Sequence, residues 1–244
     1  MWSYRACLKG NDLERFSVSL GETNLLILSD KFLEKEAKRE VLRLRSQLID
    51  YISAHTIFKK TYRPYKVTGE VPEIIKKMSD SSIKAGVGPM AAVAGAIAEF
   101  LGRELLKYSQ EVIVENGGDI FIRCIKPRKV GIYAGMSSLS ERLALKIEPE
   151  NTPLGICTSS GVFGHSESFG KADSVTCISR SAALADAACT AICNIIQDRS
   201  DIEKGLKLGK HIEGISGVVI IKDNELGIWG DINLVVVSKN GEIK

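Results

Sequence analysis

The segment SRSAALADAACTAICNII, Ser179 to Ile196, carries three polar side chains at helical spacing: Asp186, Thr190 and Asn194. Steps of i, i+4 and i+8 put them in one stripe along an otherwise apolar helix. An ionised carboxylate in such a setting is costly unless it is paired, metal-bound or open to a polar cavity. Asp186 with the Thr190 hydroxyl one turn later offers two hard oxygen donors, a set suited to Mg²⁺ or Ca²⁺. The alternative is a structural aspartate held by an arginine or by a backbone amide.

Two further stretches supply polar groups on glycine-freed backbone. Asn116-Gly117-Gly118-Asp119 lies between two β-like runs. It reads either as a hairpin turn or as a binding loop whose missing side chains let a ligand approach. The stretch from Gly155 to Gly170 holds Thr158, Ser159, Ser160, Ser166 and Ser168, with Gly161, Gly164 and His165 among them. Backbone N–H and hydroxyl groups in such a loop can cradle phosphate; an ordinary polar surface loop is the other reading. KAGVGPMAAV, with Lys84, repeats the theme of a glycine-rich turn entering a helix N-terminus, where anions are favoured.

The elements that position these residues follow from periodicity. Residues 15–28 read as a hairpin, then Ser29 or Asp30 as the N-cap of a helix to about Ala54. In that helix Leu33, Ala37, Val41, Leu44, Leu48 and Ile52 make one apolar face. A short helix is expected at 73–78. The run PMAAVAGAIAEFL opens with proline and is apolar all round, so it is a buried helix. Strands are expected at 111–115, 119–124, 129–134, 142–147 and 174–179. A second buried helix follows at 182–197 with Ser181 as N-cap, then an amphipathic helix at 201–210. The chain ends in a meander turning at Asp223-Asn224 and Gly230-Asp231. Strands and helices mix without βαβ alternation. The fold class is α+β, with antiparallel or mixed sheets around buried Ala/Gly-rich helices, in a single domain.

Bulk properties narrow the partners. Apolar residues make up 44% and charged residues 26%, a soluble balance, and the net charge of +3 does not by itself argue for nucleic acid. FKKTYRPYK, Phe58 to Lys66, is the one basic cluster, with two tyrosines interleaved. It reads as a solvated loop or one wall of an anionic-ligand site. The apolar stretch Ala85 to Ala98 falls short of the roughly 20 residues of a membrane span. The N-terminus has no apolar signal core, and six cysteines without a CxxC pair suggest neither zinc nor a disulfide framework. A reduced, cytoplasmic protein is expected. Phosphate-loop, dinucleotide, zinc-protease and serine-hydrolase motifs are absent.

Three elements in order, ENGGDI, CTSSG and ALADAACTAICN, resemble the ApbE family of FAD:protein FMN transferases. The likeness runs from about Gly86 to Asn194 and less clearly over the first 60 residues. It implies Mg²⁺ held by Asp186 and Thr190 with a backbone oxygen. On the enzyme reading FAD or FMN is expected beside Asn116, Gly117, Gly118, Thr158, Ser159, Ser160 and Gly161, and Asp119 or His165 is the candidate base. Flavin transferases carry a histidine and D-P-x-T-G before the next strand; this chain has VFGHSESFGKAD there. The shortened cytoplasmic ApbE-like group of archaea and anaerobes is the nearer likeness, and some of it is linked to sulfur assimilation. The expected function is an enzyme acting on a phosphate-bearing ligand, flavin or other nucleotide, and on an acceptor or partner enzyme, with a homo-oligomer as the assembly. The alternative is a non-catalytic flavin-binding or sulfur-assimilation accessory protein.

Overall fold

The computed structural model describes residues 12–162 and 168–237. The chain runs β1 (Glu14–Leu20), β2 (Thr23–Ser29), α1 (Glu34–Ala54), α2 (Thr56–Lys60), α3 (Glu73–Ala85), a short 3-10 segment (Pro89–Ala92), α4 (Val93–Leu105), β3 (Val112–Asn116), β4 (Asp119–Arg123), β5 (Arg128–Gly131) and β6 (Leu143–Ile147). Then come β7 (Leu154–Ser159), β8 (Ser174–Ser179), α5 (Ala182–Ile195), α6 (Ile202–His211), β9 (Ile215–Lys222), β10 (Glu225–Gly230) and β11 (Leu234–Val236).

Eight strands form one antiparallel sheet in the order β1-β2-β3-β4-β7-β8-β9-β10, and β11-β6-β5 form a second sheet. The large sheet is buried on both faces, which explains why its central strands read as continuous apolar runs. One face supplies Val112, Val114, Phe121, Val218 and Ile220 to a core shared with α1, α3, α4, α5 and α6. The other supplies Ile113, Ile120, Ile122, Ile156 and Ile221 to a core closed by Val130, Leu143 and Leu145 of the small sheet. The α+β expectation holds, and the layers are helices, large sheet, small sheet.

Several boundaries differ from the sequence reading. Neither Ser29 nor Asp30 caps α1, which starts after Leu33 without a side-chain cap. Asp30 instead accepts the Gln110 N–H at 3.1 Å and the Ser109 hydroxyl, tying the end of β2 to the start of β3. Helix α3 runs well past residue 78, because its serines are internal ties rather than loop residues. Ser79 donates to the Tyr65 carbonyl at 2.6 Å, and Ser82 to the Ser79 carbonyl at 2.8 Å. Residues 154–159 form strand β7 rather than the start of a loop. After β10 the chain leaves the large sheet, since Gly230 has a φ of 99°, and β11 pairs with β6. Among the described residues no single helix is long and apolar enough to cross a membrane.

Candidate functional site

The β3–β4 hairpin bears out the turn reading of Asn116 to Asp119. Its turn is two residues long, with Gly117 at φ 68° and Gly118 at φ 107°. Both conformations favour glycine. Asn116 and Asp119 are the closing cross-strand pair. Pairing then continues from Asp119 to Cys157, from Cys157 to Cys177, and from Cys177 to Val218. Directly opposed residues share a face, and Cys157, Cys177 and Val218 belong to the helix-side core. One row of polar and sulfur side chains therefore runs across the middle of the large sheet under the helices.

Helix α5 covers this row. Ser181 caps it, accepting the Leu184 N–H at 3.3 Å. Buried Glu99 of α4 strengthens that start, accepting the Ser181 hydroxyl at 2.9 Å and paired with Arg103 at 3.1 Å and Lys77 at 3.3 Å. No sequence signal marks the Glu of AGAIAEFLGREL as a cap for another helix. A hollow of about 270 Å³ on the outer side of α3 and α4 is backed by the same Glu99 and contains none of the sequence-predicted site residues.

Asp186 and Asp119 are both buried. The Gly95 N–H, in the first turn of α4, donates to Asp186 Oδ2 at 2.8 Å. Asp119 Oδ1 has no hydrogen-bond partner. Burial pushes the Asp186 carboxyl up to about 7, against the downward pull of the Gly95 and Ala94 amides. Asp119 is raised well above the usual carboxylate range, first by burial and then by the Asp186 charge, with the Cys157 thiol and the Thr158 backbone opposing. Two carboxyl groups crowded in one dry place cannot both ionise cheaply. A hard cation or a shared proton relieves them. Thr190 lies half-buried one turn beyond Asp186. The Asp186 carboxylate and the Thr190 hydroxyl are hard oxygen donors of the kind Mg²⁺ takes, an ion that keeps several of its waters. Among the described residues no cluster of three His, Cys, Asp or Glu side chains offers an all-protein cage.

Other predicted residues take different places. Asn194 anchors the returning loop, accepting the Phe169 N–H at 2.9 Å and the Ser168 hydroxyl at 3.3 Å. Asn116 donates to the Ala94 carbonyl at 3.0 Å and so holds the start of α4. The Thr158 side chain lies on the far face of the sheet, its hydroxyl 2.9 Å from that of Thr176. Ser159 is buried on the helix side. Ser160 donates to the Ala172 carbonyl at 3.3 Å, and the Gly161 N–H to the same oxygen at 2.9 Å, closing the loop on itself. His165 and Ser166 lie outside the described residues. At the glycine-rich turn, Gly86 is the left-handed C-cap of α3, and Lys84 lies 3.7 Å from Glu213. The anion drawn to the first turn of α4 is the protein's own Asp186. The thiols of Cys157, Cys189 and Cys193 are buried and pushed up, chiefly by burial, which disfavours thiolate.

Comparison with known proteins shows the family and the fold. A family model described as "AbpE bacteria" matches residues 5–226. A "UPF0280 protein" of Methanococcus vannielii is 42% identical over 238 residues, covering 94% of this chain and 96% of the relative. The chain belongs to the ApbE-like UPF0280 family. A second UPF0280 protein, from Methanospirillum hungatei, is 43% identical over 230 residues, covering 93% of this chain and 91% of its own length. Among solved structures, the flavinyl transferase ApbE of Pseudomonas stutzeri, in apo form, superposes with a TM-score of 0.59 at 16% identity, covering 91% of this chain and 94% of its own. The ApbE protein of Thermotoga maritima gives 0.57 at 12% identity, covering 88% and 96%. At such identities the likeness is one of fold. The UPF0280 chain thus places its A-D-x-x-x-T helix over a hairpin ending in Asp119, within an ApbE architecture.

Proposed function

We propose that this chain is a Mg²⁺-dependent enzyme that binds a flavin nucleotide and transfers part of it to an acceptor. The carrying observation is the meeting of two buried carboxyl groups, Asp186 on α5 and Asp119 at the hairpin, with Asp119 Oδ1 unpartnered. Asp186 and Thr190 would hold the cation. A bound Mg²⁺ would neutralise the diphosphate of the ligand and act as a Lewis acid. Asp119, whose affinity for protons is raised, suits a general base working near neutral pH. It would take the proton from an acceptor hydroxyl as that oxygen bonds to the FMN phosphorus and the AMP phosphate departs. The fold shared with flavinyl transferases supports this reading.

The test is incubation with FAD, Mg²⁺ and candidate acceptor proteins. AMP release together with a covalently flavinylated acceptor is the expected result. Asp186→Ala should abolish metal-dependent ligand binding; binding that survives the substitution unchanged defeats the assignment.

A further inference from the structure

Two large aromatic side chains stand exposed and in contact on the surface. Tyr62 and Phe169 are 61% and 62% accessible, with ring centroids 5.3 Å apart at 71°. They come from segments more than a hundred residues apart, and each backbone is fixed. The Phe169 N–H donates to Asn194 Oδ1 at 2.9 Å, and its carbonyl accepts from Gln197 Nε2 at 3.0 Å. The next residue, Gly170, lies so close under the last turn of α5 that a Cβ would fall 1.7 Å from the Cys193 carbonyl oxygen. Tyr62 is held likewise. Thr61 Oγ1 accepts the Arg63 N–H at 3.0 Å, and Gly88 packs so tightly on the Thr61 carbonyl that a Cβ there would fall 2.0 Å from its oxygen. The pair is a rigid aromatic corner exposed to water.

Its surroundings are basic. From His55 to Gly69 the sequence has Lys59, Lys60, Arg63 and Lys66 and no acidic residue. All four are exposed, and Lys59 also exerts a pull on the Glu22 carboxylate. The corner is anchored on Asn194, eight residues beyond Asp186 on the same stripe of α5, roughly 12 Å along the helix axis at 1.5 Å per residue. An aromatic platform, a run of exposed cations, and a buried carboxylate about two helical turns from the corner's anchor match a molecule whose planar heteroaromatic ring is joined through a sugar chain to phosphates.

We propose that Tyr62 and Phe169 receive the ring of a nucleotide by stacking, with Lys59, Lys60, Arg63 and Lys66 facing its phosphates. This rests on the carboxylate site proposed above and adds its base-recognising end. The ring is that of FMN or of adenine, and both stack on an aromatic face.

Calorimetric titration of the full chain with FMN, with AMP, and with Mg²⁺ plus inorganic pyrophosphate tests this, using wild type, Tyr62→Ala, Phe169→Ala, Tyr62→Trp and Asp186→Ala. Both aromatic positions are exposed, so the alanine variants should stay folded, which their melting curves check. Each should weaken FMN or AMP binding about 5- to 150-fold, the range of a lost base–aromatic stack. Tyr62→Trp should restore it, and pyrophosphate binding should not change. Loss confined to FMN assigns the isoalloxazine to the corner, and loss confined to AMP assigns adenine; either supports the proposal. FMN and AMP affinities unchanged in both alanine variants overturn it, whatever Asp186→Ala does to pyrophosphate. If pyrophosphate binding ignores Asp186 while FMN or AMP binding still needs Tyr62, the corner stands and the carboxylate site falls. Wild-type binding of a single-stranded oligonucleotide without measurable mononucleotide binding also overturns the proposal, in favour of nucleic acid.

Discussion

Replacing Asp186 with asparagine separates the charge of this side chain from its shape. The asparagine Oδ1 can still accept the Gly95 N–H, so the contact between α4 and α5 survives while the carboxylate is lost. The folded Asp186 carboxyl titrates near 7, against 3.8 as its ordinary value. A carboxyl raised on folding favours the native state while protonated and disfavours it once ionised. Its contribution is fully present below about pH 4 and is lost as pH rises towards 7. A difference of about three units at 1.36 kcal/mol each sets a penalty on the order of 4 kcal/mol above pH 8. In the metal-free protein, Asp186→Asn should therefore raise unfolding free energy by about 2–4 kcal/mol at pH 8 and change it little at pH 4. Saturating Mg²⁺ should stabilise the parent at pH 8 and leave the variant unmoved, since a ligand that binds only the native state stabilises it. Urea unfolding at the two pH values, with and without Mg²⁺, measures all four quantities. A variant less stable than the parent at pH 8, by more than at pH 4, would mean that the ionised form is welcome in the fold. The reasoning from crowded carboxylates would then be refuted.

Two substitutions test the frame around the site. Gly95→Ala puts a Cβ 2.3 Å from the Ala182 carbonyl oxygen and 2.8 Å from the Asp186 Cβ. It should cost about 1–3 kcal/mol by overpacking and weaken Mg²⁺-dependent ligand binding, read by urea unfolding and calorimetry. Arg128→Ala strips buried Glu111 of a 2.5 Å partner and should cost about 3–5 kcal/mol, because it strands a buried charge. Glu111→Gln added to Arg128→Ala should recover much of that loss in the same unfolding assay.

The stripe Asp186, Thr190, Asn194 was legible because helical period is a local property of sequence. The Asn-Gly-Gly-Asp turn was legible because a two-residue hairpin demands those conformations. That Asp119 would lie beside Cys157 was not, since strand pairing is set by contacts dozens of residues apart. Residues 154–159 looked like loop because Thr158 and Ser159 are hydroxylic. In the fold one pairs across strands with Thr176 and the other is buried under α5. The same bias shortened α3, whose serines bond inward. Glu99 shows the limit most clearly: its burial follows from the start of a helix 82 residues later.

The length of one turn sets what the middle of the sheet displays. Strand side chains alternate, so sliding β4 by a single residue against β3 would carry Ile120 into the helix-side layer and turn Asp119 towards the small sheet. Gly117 and Gly118 act as a ruler as well as a bend. One residue inserted or deleted between them would erase the acidic partner of α5 while leaving every residue of the A-D-x-x-x-T helix in place. Relatives that keep that helix but differ in hairpin length would share the architecture without the buried carboxyl pair.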